Sequence, residues 1–112
     1  MTELVSKKCT ACDASTPRLE NGEAKRLLAE LEGWSTSADG KSILRTLRFK
    51  NYYETMAFVN ALAFIAHRED HHPDLLVSYN SVEVRFATHA IGGLSENDFI
   101  CAAKVDALLK DG

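Results

Sequence analysis

The chain has 112 residues, 46% hydrophobic and 26% charged, with a formal net charge of −3 at pH 7. That length fits one compact domain, and the composition is far from the low-hydrophobicity, high-charge signature of disorder. Net acidity without any Lys/Arg run argues against nucleic acid or a membrane surface as partner, and no stretch approaches the roughly 18 apolar residues of a spanning helix.

The N-terminal MTELVSKKCTACDAS lacks an apolar signal core, so a cytoplasmic address is expected. Cys9, Cys12 and Cys101 are an odd set in such a chain, which predicts reduced thiols rather than a disulfide framework. Residues up to about Pro17 show no apolar periodicity and read as a loosely ordered tail, 1–18, ahead of a domain at 19–112.

From about Asn21 to Leu31, strong helix formers place Ala24, Leu27, Leu28 and Leu31 at helical spacing, and Gly33 stops this first helix. Trp34 opens a β-like stretch that turns at Ala38-Asp39-Gly40. SILRTLRF then puts Ile43, Leu47 and Phe49 on one face with Arg45 and Arg48 displaced, a hairpin. Asn51 followed by Glu54 has the form of an N-cap with a carboxylate three residues on. The segment to Glu69 repeats at 3.6 through Tyr53, Met56, Ala57, Asn60 and Phe64, predicting a second helix whose Phe/Tyr stripe, like Trp34, is assigned to packing, in the core or at an oligomer interface.

Pro73 ends that helix. LLVSY and VEVRFAT are β-prone runs separated by Asn80-Ser81, with Val82, Val84 and Phe86 alternating against Glu83 and Arg85, a second hairpin. Gly92-Gly93 marks a loop, Ser95 and Asp98 repeat the capping pattern, and a third helix carries Phe99, Ala102, Ala103 and Leu109. The order α-β-β-α-β-β-α predicts an α+β fold, a four-stranded antiparallel sheet with three helices packed on one face. So small a domain gains stability by burying a further face in an oligomer, so a homo-oligomer, dimer or tetramer, is expected.

Three of the four histidines fall at element ends: His71 and His72 after the second helix, His89 after the last strand, with His67 one turn earlier. Imidazole exchanges protons near neutral pH where Asp, Glu and Lys do not, so clustered histidines suit acid-base work. A single loop histidine, by contrast, is most simply a solvated or hydrogen-bonded side chain.

EDHHPDL at 69–75, YNSVEVRFATH at 79–89 and GGLSENDF at 92–99 together resemble the pterin-4a-carbinolamine dehydratase family, in its order and spacing. The resemblance runs from about the first helix to Leu109 and implies a four-stranded antiparallel sheet backed by three helices. It implies dehydration of 4a-hydroxytetrahydropterin to quinonoid dihydropterin, part of tetrahydropterin recycling after aromatic amino-acid hydroxylases, with no cofactor and no metal. By position His71, His72 and His89 match the family's catalytic histidines, and Asp98 its active-site acid, a residue that equally serves as a cap. Asp70, His71, His72, Ala87, Thr88, His89 and Ala90 match positions that contact the pterin, at Ala87, Thr88 and Ala90 through the backbone. The pattern departs at Leu75, where an aromatic is usual, at His67, where a Glu is common, and at Ala90, which replaces an acidic residue.

Other readings stay open from the sequence. The same fold serves in interaction proteins: a dimerisation partner of a transcription factor, a regulator of a hydroxylase, an assembly factor for a carbon-fixing enzyme. Relatives specialised for assembly tend to lose the histidines that this chain keeps. A metal site built from His67, His71, His72 and His89 is the alternative for the histidines, though adjacent His71 and His72 converge awkwardly on one ion. Cys9-x-x-Cys12 is half a zinc site or a redox pair.

Overall fold

The computed structural model describes residues 4–10 and 15–111, with side chains through Leu109. In chain order it holds a 3-10 turn at Leu4–Ser6, α1 (Asn21–Leu28), β1 (Ser35–Thr36), β2 (Ile43–Arg48), α2 (Tyr52–Glu69), β3 (Asp74–Val77), β4 (Ser81–Phe86), a 3-10 turn at His89–Ile91 and α3 (Glu96–Asp111). The strands form one sheet in the order β1-β2-β4-β3, every pair antiparallel. This is the α-β-β-α-β-β-α arrangement expected from the sequence.

The period-2 pattern of β4 buries Val82, Val84 and Phe86, and Thr88 continues the same phase. These residues share one apolar core with Ile43 and Leu47 of β2, Phe58 and Leu62 of α2, and Phe99 and Val105 of α3. Fully burying each such side chain contributes about 1.5–3 kcal/mol. Trp34 lies in this core against Phe86, with its indole N–H donated to Asp106 Oδ1 at 2.9 Å. In the turn of the first hairpin Asp39 accepts from the Ser37 hydroxyl and the Lys41 N–H, and those two bonds hold its carboxyl below the usual range.

Three sequence expectations change in detail. Helix α1 ends at Leu28, and Glu30 and Leu31 bond back only three residues, to Leu27 and Leu28. Gly33 then takes a positive φ of 85°, where the Arg45 side chain comes within 2.8 Å of the place a Cβ would occupy. Arg45 is the second change, because pleating puts it on the face of Ile43 and Leu47. It reaches the margin of the core and bonds Asp106 Oδ1 at 2.7 Å and the Glu32 carbonyl at 2.8 Å.

The third change concerns α2. Its cap is as expected, Asn51 Oδ1 accepting from the Glu54 N–H at 2.9 Å, but the buried face carries Thr55, Phe58, Leu62, Ile65, Ala66 and Glu69. Tyr53, Ala57, Asn60 and Phe64, expected to pack, are exposed. The helix is apolar on both faces, so periodicity alone does not choose between them. The choice falls to the Thr55 hydroxyl, 2.9 Å from the Tyr79 carbonyl, and to Phe58, which packs on Phe49.

Helix α3 is buried on nearly every side from Phe99 to Val105 because it packs against α2, β4 and the Leu4–Ser6 turn. The segment read as a tail thus lies along α3 over residues 4–10. Leu4 is buried, Lys7 pairs with Glu96 at 2.6 Å, and Thr10 exchanges two hydrogen bonds with the Asn97 side chain.

Candidate active site

Helix α2 closes with its chain reversed. Asp70 takes the left-handed conformation (φ 53°, ψ 43°), its N–H bonds to the His67 carbonyl, and the His71 N–H bonds to the Ala66 carbonyl at 3.1 Å. This pair of bonds is the Schellman closure, which an Asp can enter because its short side chain tolerates the left-handed region. The reversal turns His71 inward, and Pro73 two residues on bars a return to helix.

The His71 ring is buried, parallel to Phe86 at 6.0 Å, with Nε2 2.6 Å from Asp98 Oδ1. Asp98 is fully buried, and its other oxygen accepts from the Thr88 hydroxyl at 2.8 Å and the Ser95 N–H at 3.0 Å. Thr88 Oγ1, having donated to Asp98, accepts from the Ser95 hydroxyl at 2.7 Å. A carboxylate only accepts, so the chain of donors places the His71 hydrogen on Nε2. No described side-chain nitrogen or oxygen is both buried and unpartnered. Asp98 thus uses one oxygen at the start of α3 and the other on His71.

Asp98 thereby ties the segment after α2 to the segment after β4. His72 and His89 are exposed, His72 next to His71 and His89 one residue beyond Thr88 in the chain. Asp70 and Ala90 are exposed and Ala87 is half-buried. Thr88, expected to meet substrate through its backbone, has its N–H bonded to the Gly93 carbonyl at 2.9 Å and its side chain buried on Asp98, so its place is behind the surface. A hollow of about 250 Å³ at the start of α3 is lined by residues such as Lys8, Thr10, Ser95 and Asn97 and by no histidine.

His67 is exposed on the last turn of α2. Among the described residues no group of three or more His, Cys, Asp or Glu is placed to hold a metal ion, and no helix is long and apolar enough to cross a membrane. Cys12 lies outside the described residues, so the C-x-x-C reading cannot be placed, while Cys9 meets Cys101.

The family model for pterin 4 alpha carbinolamine dehydratase matches residues 17–108. The chain belongs to the pterin 4 alpha carbinolamine dehydratase family. It is 61% identical over 109 residues to a Nitrosomonas europaea protein provisionally named a pterin-4-alpha-carbinolamine dehydratase, covering 96% of this chain and 95% of that one. A Stenotrophomonas maltophilia protein with the same provisional name is 57% identical, covering 94% and 90%. Among solved structures, one from Brucella melitensis described as a transcriptional coactivator/pterin dehydratase superposes with a TM-score of 0.79 at 34% identity, covering 82% of this chain and 98% of that one. A pterin dehydratase-like protein described as a RuBisCO assembly factor in the alpha-carboxysome gives 0.60 at 26% identity, covering 69% and 89%.

Seen from within this dehydratase family, three supporting groups were missed in the sequence: the Thr88 side chain, the Ser95 hydroxyl and the Phe86 ring beneath His71. A signal for two of them was present. Thr88 and Phe86 share the inward phase of Val82 and Val84, so both had to face the interior.

Proposed function

We propose that the protein dehydrates 4a-hydroxytetrahydropterin to quinonoid dihydropterin and water in the cytoplasm, recycling a pterin that an aromatic amino-acid hydroxylase has used. Hydroxide is a poor leaving group, so an acid must protonate the 4a-oxygen while the neighbouring ring nitrogen gives up its proton as its lone pair drives expulsion. His71 and His89 serve as alternative acids for a hydroxyl on either ring face. His72 positions the ring and relays the nitrogen's proton. Asp98 accepts the Nε2 hydrogen of His71, so the proton given to the substrate is the second one, carried on Nδ1 of the imidazolium, and the backbone of Ala87 and Ala90 with Asp70 edges the pterin. The side chains supply all the proton transfers of this scheme, and the pterin is substrate.

The observation that carries this reading is the buried His71–Asp98 pair at 2.6 Å, tied to Thr88, the residue before His89, in a chain of this family. The assay is dehydration of 4a-hydroxytetrahydropterin generated in place by a hydroxylase, followed against the buffer-catalysed background. Acceleration proportional to folded protein is expected; a rate equal to background at micromolar protein contradicts the proposal.

We also propose that the protein works as a homo-oligomer. Tyr53 is 82% exposed, Phe64 62%, Leu76 65% and Tyr79 64%, and edge strand β3 is exposed along its length, which leaves unpaired N–H and C=O groups for a second copy to meet. Interaction roles on this fold would use the same surface. Light scattering is expected to give a multiple of the 12.4 kDa chain mass, reduced by Phe64→Glu with Leu76→Lys; a monomeric wild type at assay concentration counts against it.

A further inference from the structure

Away from the histidines, a second pair of chemically active side chains meets across the N-terminal segment and α3. The Cys9 and Cys101 sulfurs are 3.4 Å apart, although the residues lie 92 positions apart in the chain. Both are free thiols; Cys101 is fully buried and Cys9 half-buried. The backbone around Cys9 is anchored rather than draped. Its N–H bonds to Glu69 Oε1 at 2.9 Å, and Thr10 next to it is bonded at both N–H and carbonyl to the Asn97 side chain. Closing the gap to a covalent S–S length needs a shift of about 1.4 Å, within the reach of side-chain rotation.

We propose that Cys9 and Cys101 are a peroxide-responsive dithiol that closes into a reversible disulfide clasp, fastening residues 4–10 to the helix that carries Asp98. The half-buried Cys9 is the sulfur an oxidant reaches. Its thiolate attacks hydrogen peroxide, an S–O bond forms as the O–O bond breaks, and the departing oxygen leaves as water. The Cys101 thiolate then attacks the Cys9 sulfur, the S–S bond forms, and the S–O bond breaks with loss of a second water. Two thiols together lose two electrons and two protons, and one peroxide becomes two waters.

The order of events follows from the surroundings of Cys101. Its hydrogen bond with Cys9, its burial, and the charges of Cys9, Glu69 and Asp98 all raise its thiol above the ordinary range. The largest of these causes goes when Cys9 is oxidised, so Cys101 becomes the better nucleophile only after the first step. Closure is accordingly faster at alkaline pH, and the clasp stays open in a reducing cell.

The test uses the full chain, reduced and then treated with hydrogen peroxide, with peptides mapped by mass spectrometry before and after dithiothreitol. The expected product joins the peptides of Cys9 and Cys101, two hydrogens lighter, and is reversed by the thiol. It raises Tm by on the order of 10 °C. The rise is expected to persist in Cys12→Ser and to vanish in Cys9→Ser. A Cys9–Cys12 link, links only between chains, or oxidised Cys9 without a cross-link would each overturn the proposal. Because the map is made on the wild type, it decides the matter even if Cys101→Ala folds poorly, and it is independent of whether pterin is turned over.

Discussion

Asp98→Asn is expected to lower turnover of the 4a-epimer served by His71 about 100- to 10,000-fold, out of proportion to its change in size. The carboxylate accepts three hydrogen bonds from fixed donors, the His71 ring N–H, the Thr88 hydroxyl and the Ser95 backbone N–H. An amide has one accepting oxygen. If that oxygen stays on Ser95 and Thr88, the amide NH2 faces His71 Nε2, which must then accept, and the ring loses the doubly protonated form from which Nδ1 gives its proton to the substrate. If it turns to His71, the NH2 faces the Ser95 N–H and the α3 cap is lost. Asp98→Ala leaves all three donors without that acceptor, and loses about 3 kcal/mol of stability from cap and buried polar groups together. Urea denaturation beside the dehydration assay separates the two roles. Lost stability with full turnover per folded molecule would make Asp98 a cap and nothing more.

Substitution of the histidines has the other large effect. His72→Ala is expected to cut turnover about 100- to 10,000-fold, the usual contribution of a positioned acid-base group, with a stability change of roughly 0.5 kcal/mol or less because the side chain is exposed. His71→Ala and His89→Ala differ in kind, because each acid serves one face of the ring. With substrate prepared as both 4a-epimers, the single exponential of the wild type should become biphasic in either variant, one phase slow and the other near normal. The double variant should be slow in both. His71→Ala also empties the space on Phe86 and Asp98, so its stability is to be read alongside. Unchanged turnover in His72→Ala or His89→Ala rejects the assignment.

The fold was legible in the sequence because its local signals agree with one another. The Asn51/Glu54 and Ser95/Asp98 caps, the alternation through Val82, Val84 and Phe86, and the break at Pro73 all mark boundaries that backbone hydrogen bonding enforces. Signals weakened where a choice depended on neighbours distant in the chain. Both faces of α2 are apolar, and contacts beyond the helix, among them those with Phe49 and Tyr79, decide that Phe58 goes in and Phe64 stays out. Arg45 reads as a misplaced charge until Asp106, 61 residues on, comes alongside.

The site divides in the same way. Histidines at element ends could be read as proton-transfer groups, and the resemblance to a family named which ones. That Asp98 reaches His71 is a tertiary fact, set by the left-handed turn at Asp70 and the docking of α3, and no spacing between residues 71 and 98 announces it. The pairing of Cys9 with Cys101 was likewise hidden, since Cys12 is the nearer neighbour in sequence.

The most direct measurement is a titration of the histidine-labelled protein with a stable tetrahydropterin analogue, followed by NMR of the imidazole side chains. The resonances of His71, His72 and His89 are expected to move together with one shared midpoint, and His67, on the outer turn of α2, to stay in place. Movement confined to His71 and His72, with His89 unmoved at saturation, would contradict the claim that two separate chain segments meet on one pterin.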